Sequence, residues 1–121
     1  MATDVVVSEQ QILTSRRFRR FKLDVPVRVV VHTEDKTRII DARGNELNEG
    51  GLAVQAGVEL EIDNIIEVEF TPTYGEPIRV RAIVRNRNGY RYGLEFVAET
   101  ATDFDRVADI RIALQGMGKL M

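Results

Sequence analysis

The chain has 121 residues, of which 44% are hydrophobic and 30% are charged, and its net charge is −2. This length and balance fit a single globular domain and exclude a disordered chain. The lack of cysteine excludes disulfides, thiolate metal sites and thiol nucleophiles, and the slight negative charge is not typical of a general nucleic-acid-binding protein.

Residues 1–14 are predicted to form a flexible leader, and residues 15–121 a single domain. The N-terminal segment has Asp4 and a short valine run where a signal peptide would have a basic start and a long apolar stretch. No segment of the chain is apolar over the length that a bilayer requires. We therefore expect a cytoplasmic protein that does not insert into membranes.

Residues 15–22 form a basic segment, which we call the arginine linker, ahead of the first clear strand pattern. Its arginines are Arg16, Arg17, Arg19 and Arg20. A run of like charges can be a solvated tail that binds polyanions loosely. Arginine offers more than charge, because its planar guanidinium makes paired hydrogen bonds to phosphate oxygens or to a guanine edge and stacks on bases. The arginine linker therefore also suits a small anionic nucleotide.

Residues 23–98 carry the two-residue alternation of β-strands. The alternation is clearest in Leu23–Val31, Ile66–Phe70, Ile78–Val84 and Tyr90–Phe96, with shorter candidates at 37–43 and 52–55. The pair Asn88-Gly89 predicts a hairpin with a type I′ turn. Six short strands separated by turn signals favour a closed antiparallel barrel or a sandwich.

Residues 101–115 are predicted to form a C-terminal helix. Thr100 and Asp103 fit a capping box at its start, and Gly116 marks its end. The face expected to pack on the barrel consists of apolar residues on one stripe: Phe104, Val107, Ala108 and Leu114.

Enzymatic function has little support in the sequence. The serines are confined to Ser8 and Ser15, ahead of the strands. The single histidine, His32, has the strand parity of the outer face, and without a second clustered ligand it makes a poor metal site. Because no nucleophile–base pair is evident, we predict no catalytic residues, no metal site and no enzyme activity.

A second polar stretch, Glu46–Leu52, contains two adjacent glycines. Gly50 and Gly51 allow a ligand to approach the main chain closely, and Asn48 offers a donor and an acceptor to a base or ribose edge. The same residue types are common in an ordinary tight turn. From composition alone, both interpretations stay open.

Together, these two stretches resemble the PilZ domain family, whose members are bacterial receptors for cyclic di-GMP. The family motif R-x-x-x-R is matched by Arg16 and Arg20, and Glu46–Gly51 stands where the family has [D/N]-x-S-x-x-G. The order of the later elements is also similar, so the resemblance covers about residues 15–115. It implies a mainly β fold, a six-stranded antiparallel barrel with a C-terminal α-helix.

The resemblance implies a ligand site and no cofactor other than the ligand, cyclic di-GMP. The implied ligand-binding residues come from both motifs: Arg16, Arg17, Arg20, Glu46, Asn48 and Gly51. The arginines would hold phosphates and guanine faces, and the second motif would contact the other side of the guanine. Two positions depart from the family pattern, because Glu46 is one methylene longer than Asp and Asn48 is bulkier than Ser.

We therefore expect a bacterial receptor or adaptor domain in second-messenger signalling. Ligand phosphates would offset the repulsion among the arginines and order the arginine linker onto the barrel, creating a surface that a downstream effector protein reads. The main alternative is a degenerate PilZ domain that does not bind cyclic di-GMP and acts as a protein–protein interaction module. DNA or RNA binding is disfavoured by the acidic charge and by the lack of obvious exposed stacking aromatics.

Overall fold

The computed structural model describes residues 20–72 and 75–120. Within them, six strands and one helix follow one another: β1 (Phe21–His32), β2 (Thr37–Leu47), β3 (Gly51–Ala56), β4 (Ile65–Phe70), β5 (Ile78–Asn88), β6 (Arg91–Phe96) and α1 (Ala101–Leu120). Every neighbouring pair of strands is antiparallel, and the sheet closes into a barrel in the order β1-β2-β3-β6-β5-β4. The predicted six-stranded antiparallel barrel with a C-terminal helix is confirmed.

The barrel core follows from the alternation, because every second side chain of each strand points inward. Val29 and Val54 are fully buried in this way. Tyr92 is fully buried as well, and its hydroxyl accepts from the Leu60 backbone NH (3.0 Å) and donates to the Val58 carbonyl (3.3 Å). Because the hydroxyl has both partners, the large ring fills the core without leaving an unsatisfied polar group.

The β5–β6 hairpin differs from the sequence prediction. Asn88 still lies in β5 and pairs with Arg91, so the turn consists of Gly89 and Tyr90. Of these two residues Gly89 has a positive φ, 64°, which is the pattern of a type II′ turn and not of the predicted type I′ turn. Glycine adopts this conformation without steric strain, so it takes the first turn position and β5 runs one residue further than expected.

Helix α1 is longer than predicted and packs on the barrel through part of the predicted face, since Leu114 is buried and Val107 packs against the core. It continues through Gly116 to Leu120. Its buried side chains have a spacing of three, four or seven residues: Asp103, Ile110, Leu114 and Met117. Phe104, from the predicted face, is 58% exposed, and Ala108 is also exposed. No helix in the described part of the chain is long and apolar enough to cross a bilayer.

The position of Asp103 explains why the helix turns this face to the barrel. Its carboxylate is buried and accepts two hydrogen bonds from Arg81 of β5, at 3.0 and 2.7 Å. It also accepts from the backbone NH groups of Glu99 and Thr100, while the Thr100 hydroxyl accepts from the Asp103 NH. The predicted capping box is confirmed, and the ion pair with Arg81 fixes the rotation of α1 on the barrel.

The Arg81 hydrogen bonds are the main reason that the pKa of Asp103 lies well below its ordinary value, with the capping NH groups adding to the effect and burial opposing it. A carboxyl whose pKa is lowered by folding stabilises the folded state above its unfolded pKa. That stabilisation is lost as the pH falls through the folded pKa.

Replacing Asp103 with Asn should lower the free energy of unfolding by about 2 kcal/mol, because Arg81 loses its charged partner. Asp105→Asn, at an exposed position in the same helical turn, is the matched control and should change it by about 0.5 kcal/mol or less. Urea denaturation at pH 7 and pH 3 measures both effects. The difference between wild type and Asp103→Asn should shrink at pH 3, below the unfolded pKa of about 3.9; an equal difference at both pH values would contradict the role of the charge.

Candidate functional site: a groove across four strands

An open groove of about 510 Å³ crosses the outer face of β2, β3, β6 and β5. Four residues predicted from the sequence line it together: Arg20, Glu46, Asn48 and Gly51. The structure therefore brings the end of the arginine linker next to the second motif. Arg16 and Arg17, which were also predicted, lie outside the described residues.

The groove is centred on one row of residues that face each other across the four strands. Glu46 of β2 is paired with Ala53 of β3, Ala53 with Gly93 of β6, and Gly93 with Asn86 of β5. The two central residues are small, so the floor between Glu46 and Asn86 is low, and the row spans about 14 Å, which is three strand spacings.

Two β-bulges bracket this row. The register of β2 shifts immediately before Glu46, and the register of β5 shifts immediately before Asn86. A bulge bends its strand and re-aims the neighbouring side chains. Here both bulges act on the two polar residues at the ends of the row, which is an arrangement expected at a binding site rather than in a regular barrel wall.

Asn86 lies directly over the glycine of the floor. A Cβ atom added to Gly93 would come within 2.5 Å of the Asn86 Oδ1 atom. The glycine therefore makes room for the amide, which can present its donor and acceptor atoms to a ligand in the groove.

The second motif forms a shorter loop than expected. Asn45, Glu46 and Leu47 belong to β2, so the loop that joins it to β3 contains just 48–50. The Asn48 Oδ1 atom accepts from the NH groups of Gly50 (2.7 Å) and Gly51 (2.9 Å). Because the amide oxygen is used to close this turn, the Nδ2 group is the part of Asn48 that remains for a ligand.

Gly51 has a structural reason to be glycine. A Cβ atom at this position would overlap the backbone carbonyl oxygen of Leu94, on the neighbouring strand β6. The sequence prediction attributed this glycine to close approach of a ligand, whereas the close approach in the structure is between two strands. Gly51 still lines the groove.

The charges of the groove are arranged around Glu46. Its Oε1 atom lies 3.5 Å from Nε of Arg20, and its Oε2 atom lies 3.5 Å from a terminal guanidinium nitrogen of Arg91. The lining contains three arginines and two glutamates, so its charge is positive by one unit although the whole chain has a net charge of −2. The lining is thus cationic on an acidic protein, although Asp63, which lies outside the lining, also pairs with one of the three arginines.

Three further ion pairs surround the groove. Arg85, at the bulge of β5, pairs with Glu95 at 2.9 Å and with Asp63 at 3.6 Å. Glu49, in the 48–50 loop, pairs with Arg111 of α1 at 3.5 Å. Arg111 therefore has an acidic partner beside the second motif.

Sequence reasoning missed one wall of the groove. The missed residues belong to the β5–β6 hairpin: Arg85, Asn86, Asn88 and Arg91. Asn86 and Asn88 had been interpreted as part of a turn signal, and Arg85 and Arg91 as parts of the strands at either side. Gly93, in the middle of a strand pattern, was the signal that could have found them, because a glycine inside a strand often marks a bulge or a close approach.

His32 lies on the outer face, as predicted. Its ring nitrogens contact the Thr37 hydroxyl (3.1 Å) and the Glu67 carboxylate (2.6 Å), and Glu67 also pairs with Arg79. These residues line neither the groove nor a second cavity of about 610 Å³, which lies over β1 and β2 and has two arginines and two carboxylates in its wall. No group of three or more potential metal ligands occurs within 20–72 and 75–120.

The family model and two of the similar solved structures agree, because all three are described as PilZ domains. The family model described as PilZ domain matches residues 14–111. The PilZ domain of CeSA from a cellulose-synthesizing bacterium is similar to this chain with a TM-score of 0.63 and 18% identity, over 80% of this chain and 98% of that one. The PilZ domain of YcgR from Escherichia coli, solved with c-di-GMP, has a TM-score of 0.60 and 16% identity, over 86% and 94%.

A third similar structure is MotI/DgrA, an inhibitor of motility from Bacillus subtilis, with a TM-score of 0.58 and 17% identity. The alignment covers 86% of this chain but 51% of that protein, so the chain spans about half of its length. A comparison with curated protein sequences gave no match. At these identities the structural likeness supports the fold.

Gly51→Ala should lower the free energy of unfolding by about 2 kcal/mol, because the new methyl group overlaps backbone atoms of β6 that no side-chain rotation can move away. Gly57→Ala is the matched control, since a Cβ atom there meets nothing within 4 Å. Urea denaturation of the two variants measures the difference. Equal stability of Gly51→Ala and Gly57→Ala would contradict the close strand approach.

Proposed function

Because the chain belongs to the PilZ domain family, we propose that it is a receptor domain for cyclic di-GMP and not an enzyme. The observation that carries this proposal is the meeting of Arg20 with Glu46, Asn48 and Gly51 around one groove. The YcgR domain of similar fold was solved with c-di-GMP, which supports the same ligand class for this chain.

The groove suits a nucleotide in size and chemistry. Its volume of about 510 Å³ lies within the range of about 300–1,000 Å³ usual for small-molecule sites. Ala53 keeps the floor low, so a planar base can lie there beside the Asn86 amide that covers Gly93, and the Nδ2 group of Asn48 can meet a base edge. Arg20, Arg85 and Arg91 supply the positive charge that two phosphates require.

We assign the signalling step to the arginine linker. Arg16, Arg17 and Arg20 carry like charges within five residues, and the two phosphates of the ligand would offset their mutual repulsion. Bound ligand would then hold the arginine linker against the groove. The resulting surface, composed of linker, ligand and barrel, is what a downstream effector protein would read.

One observation favours a second candidate function. In the structure the carboxylate of Glu46 faces both Arg20 and Arg91, which are groups that a phosphate would need. A domain in which this carboxylate is never displaced would act as a protein–protein interaction module. The exposed face of α1, where Phe104 and Ile112 are 58% and 65% exposed, is the apolar surface that such a module offers.

Calorimetric titration with cyclic di-GMP tests the receptor function. We expect saturable binding by the wild type and a loss of affinity of at least about tenfold in Arg20→Ala and in Arg16→Ala, because each removes charge-assisted hydrogen bonds. Arg28→Ala is the matched control, since Arg28 lies on the outer face of β1 and lines the second cavity instead. No binding heat from the wild type at high ligand concentration would overturn the receptor function and favour the interaction module.

Position 48 provides a separate prediction. Asn48→Ser keeps an oxygen that can accept from Gly50 and Gly51, so we expect the loop to persist and the affinity for cyclic di-GMP to be equal or higher, and higher still with Glu46→Asp added. Asn48→Ala removes the acceptor and should weaken binding by up to about tenfold, the equivalent of one lost hydrogen bond. Titration of the three variants compares them. Equal affinities of the Ser and Ala variants would contradict the role of the loop.

A further inference from the structure

The carboxylate of Glu46 lies between two guanidinium groups, which is an environment that suits an oxyanion. Each of its two carboxylate oxygens faces a different guanidinium, that of Arg20 on one side and that of Arg91 on the other, at 3.5 Å in both cases. Charge-assisted hydrogen bonds are usually about 2.7–2.9 Å long. The two arginines therefore flank the carboxylate loosely and leave room for a larger oxyanion between them.

Neither arginine is committed to another acid. Within the described residues, Glu46 is the sole ion-pair partner of Arg20 and of Arg91. The arginine side chains are 58% and 54% exposed, whereas that of Glu46 is 24% exposed. Exposed ion pairs at such distances contribute little free energy. Another anion can therefore replace the carboxylate at low cost.

We propose that Arg20 and Arg91 form a two-sided oxyanion clamp, in which Glu46 is the resident occupant and a ligand phosphate binds by displacing its carboxylate. The identity of that phosphate as part of cyclic di-GMP rests on the proposed function. In this arrangement Arg91 is a ligand-binding residue, and Glu46 competes with the ligand instead of contacting it.

The placement of the two arginines gives the clamp a consequence for signalling. Arg91 projects from β6, where it is paired with Gln55 and Asn88 on the strands at either side. Arg20 belongs to the arginine linker and directly precedes β1, which takes in the last two residues of that segment. A phosphate held between them therefore ties the linker to the barrel wall through a single anion.

Titration of charge variants with cyclic di-GMP tests the clamp. Glu46→Gln, which keeps the shape but removes the competing charge, should raise the affinity about five- to tenfold, and Arg91→Ala should lower it about tenfold. Arg91→Lys should fall between wild type and Arg91→Ala, because it keeps the charge without the paired donors. A lower affinity of Glu46→Gln would make Glu46 a direct ligand contact and overturn the clamp.

Two matched controls separate the clamp from a general effect of charge. Glu69→Gln removes one carboxylate outside the groove, where Glu69 pairs with Arg28 and lines the second cavity. Arg87→Ala removes an arginine that lies on the adjacent strand and pairs with Glu59 at 2.9 Å. Both should change the affinity less than about twofold. If Glu69→Gln raises the affinity as much as Glu46→Gln does, the effect is net charge alone and the clamp is wrong.

Inorganic pyrophosphate, which has no base, distinguishes failure of the clamp from failure of the proposed function. We expect it to shift the side-chain Nε–H signals of Arg20 and Arg91 in NMR spectra of Glu46→Gln, saturably and more strongly than that of Arg87. These shifts without any binding of cyclic di-GMP would support the clamp and overturn the proposed function. Binding of cyclic di-GMP that is lost in Arg20→Ala but unchanged in Arg91→Ala, with no shift of the Arg91 signal, would leave the function standing and overturn the clamp.

Discussion

The groove depends on one constraint, which is the absence of bulky side chains at the centre of the row Glu46–Ala53–Gly93–Asn86. A barrel wall normally presents side chains across its whole outer face, and these would fill the space that a ligand needs. Here Ala53 and Gly93 lower the floor, while the bulges beside Glu46 and Asn86 turn the polar ends of the row over it. The positive charge of the groove and the nearby arginine linker can act on a ligand only because the low floor leaves space for one.

The electrostatics of the site reconcile an acidic chain with the anionic ligand that we propose. Most arginines on the barrel are matched by a carboxylate, as in the pairs Arg28–Glu69 and Arg79–Glu67. In the groove, by contrast, Glu46 is shared by two arginines, so positive charge is left over at the place where the arginine linker enters the barrel. Field strength at the site is therefore set by local pairing, and the net charge of the chain says little about it.

The sequence was sufficient for the barrel, because the alternation of apolar residues in β1, β4, β5 and β6 survives in the structure, and the Thr100–Asp103 capping box located the start of α1. It was sufficient for part of the helix face, since Leu114 is buried as expected, whereas Phe104 is exposed because the buried ion pair of Asp103 with Arg81 sets the rotation of the helix. The far wall of the groove was missed for a similar reason. A bulge changes which side chains point outward at one place, and alternation alone cannot show where β5 shifts its register before Asn86.

The two departures from the family motif are unequal in their physical effect. Asn48 uses its amide oxygen to close the loop onto Gly50 and Gly51, which is a role that a serine hydroxyl can also fill, so this change leaves the shape of the site intact. Glu46 is different, because its extra methylene carries a negative charge to the position between Arg20 and Arg91. If a phosphate can displace this one carboxylate, the domain can bind a nucleotide. If it cannot, the domain is left with protein partners alone.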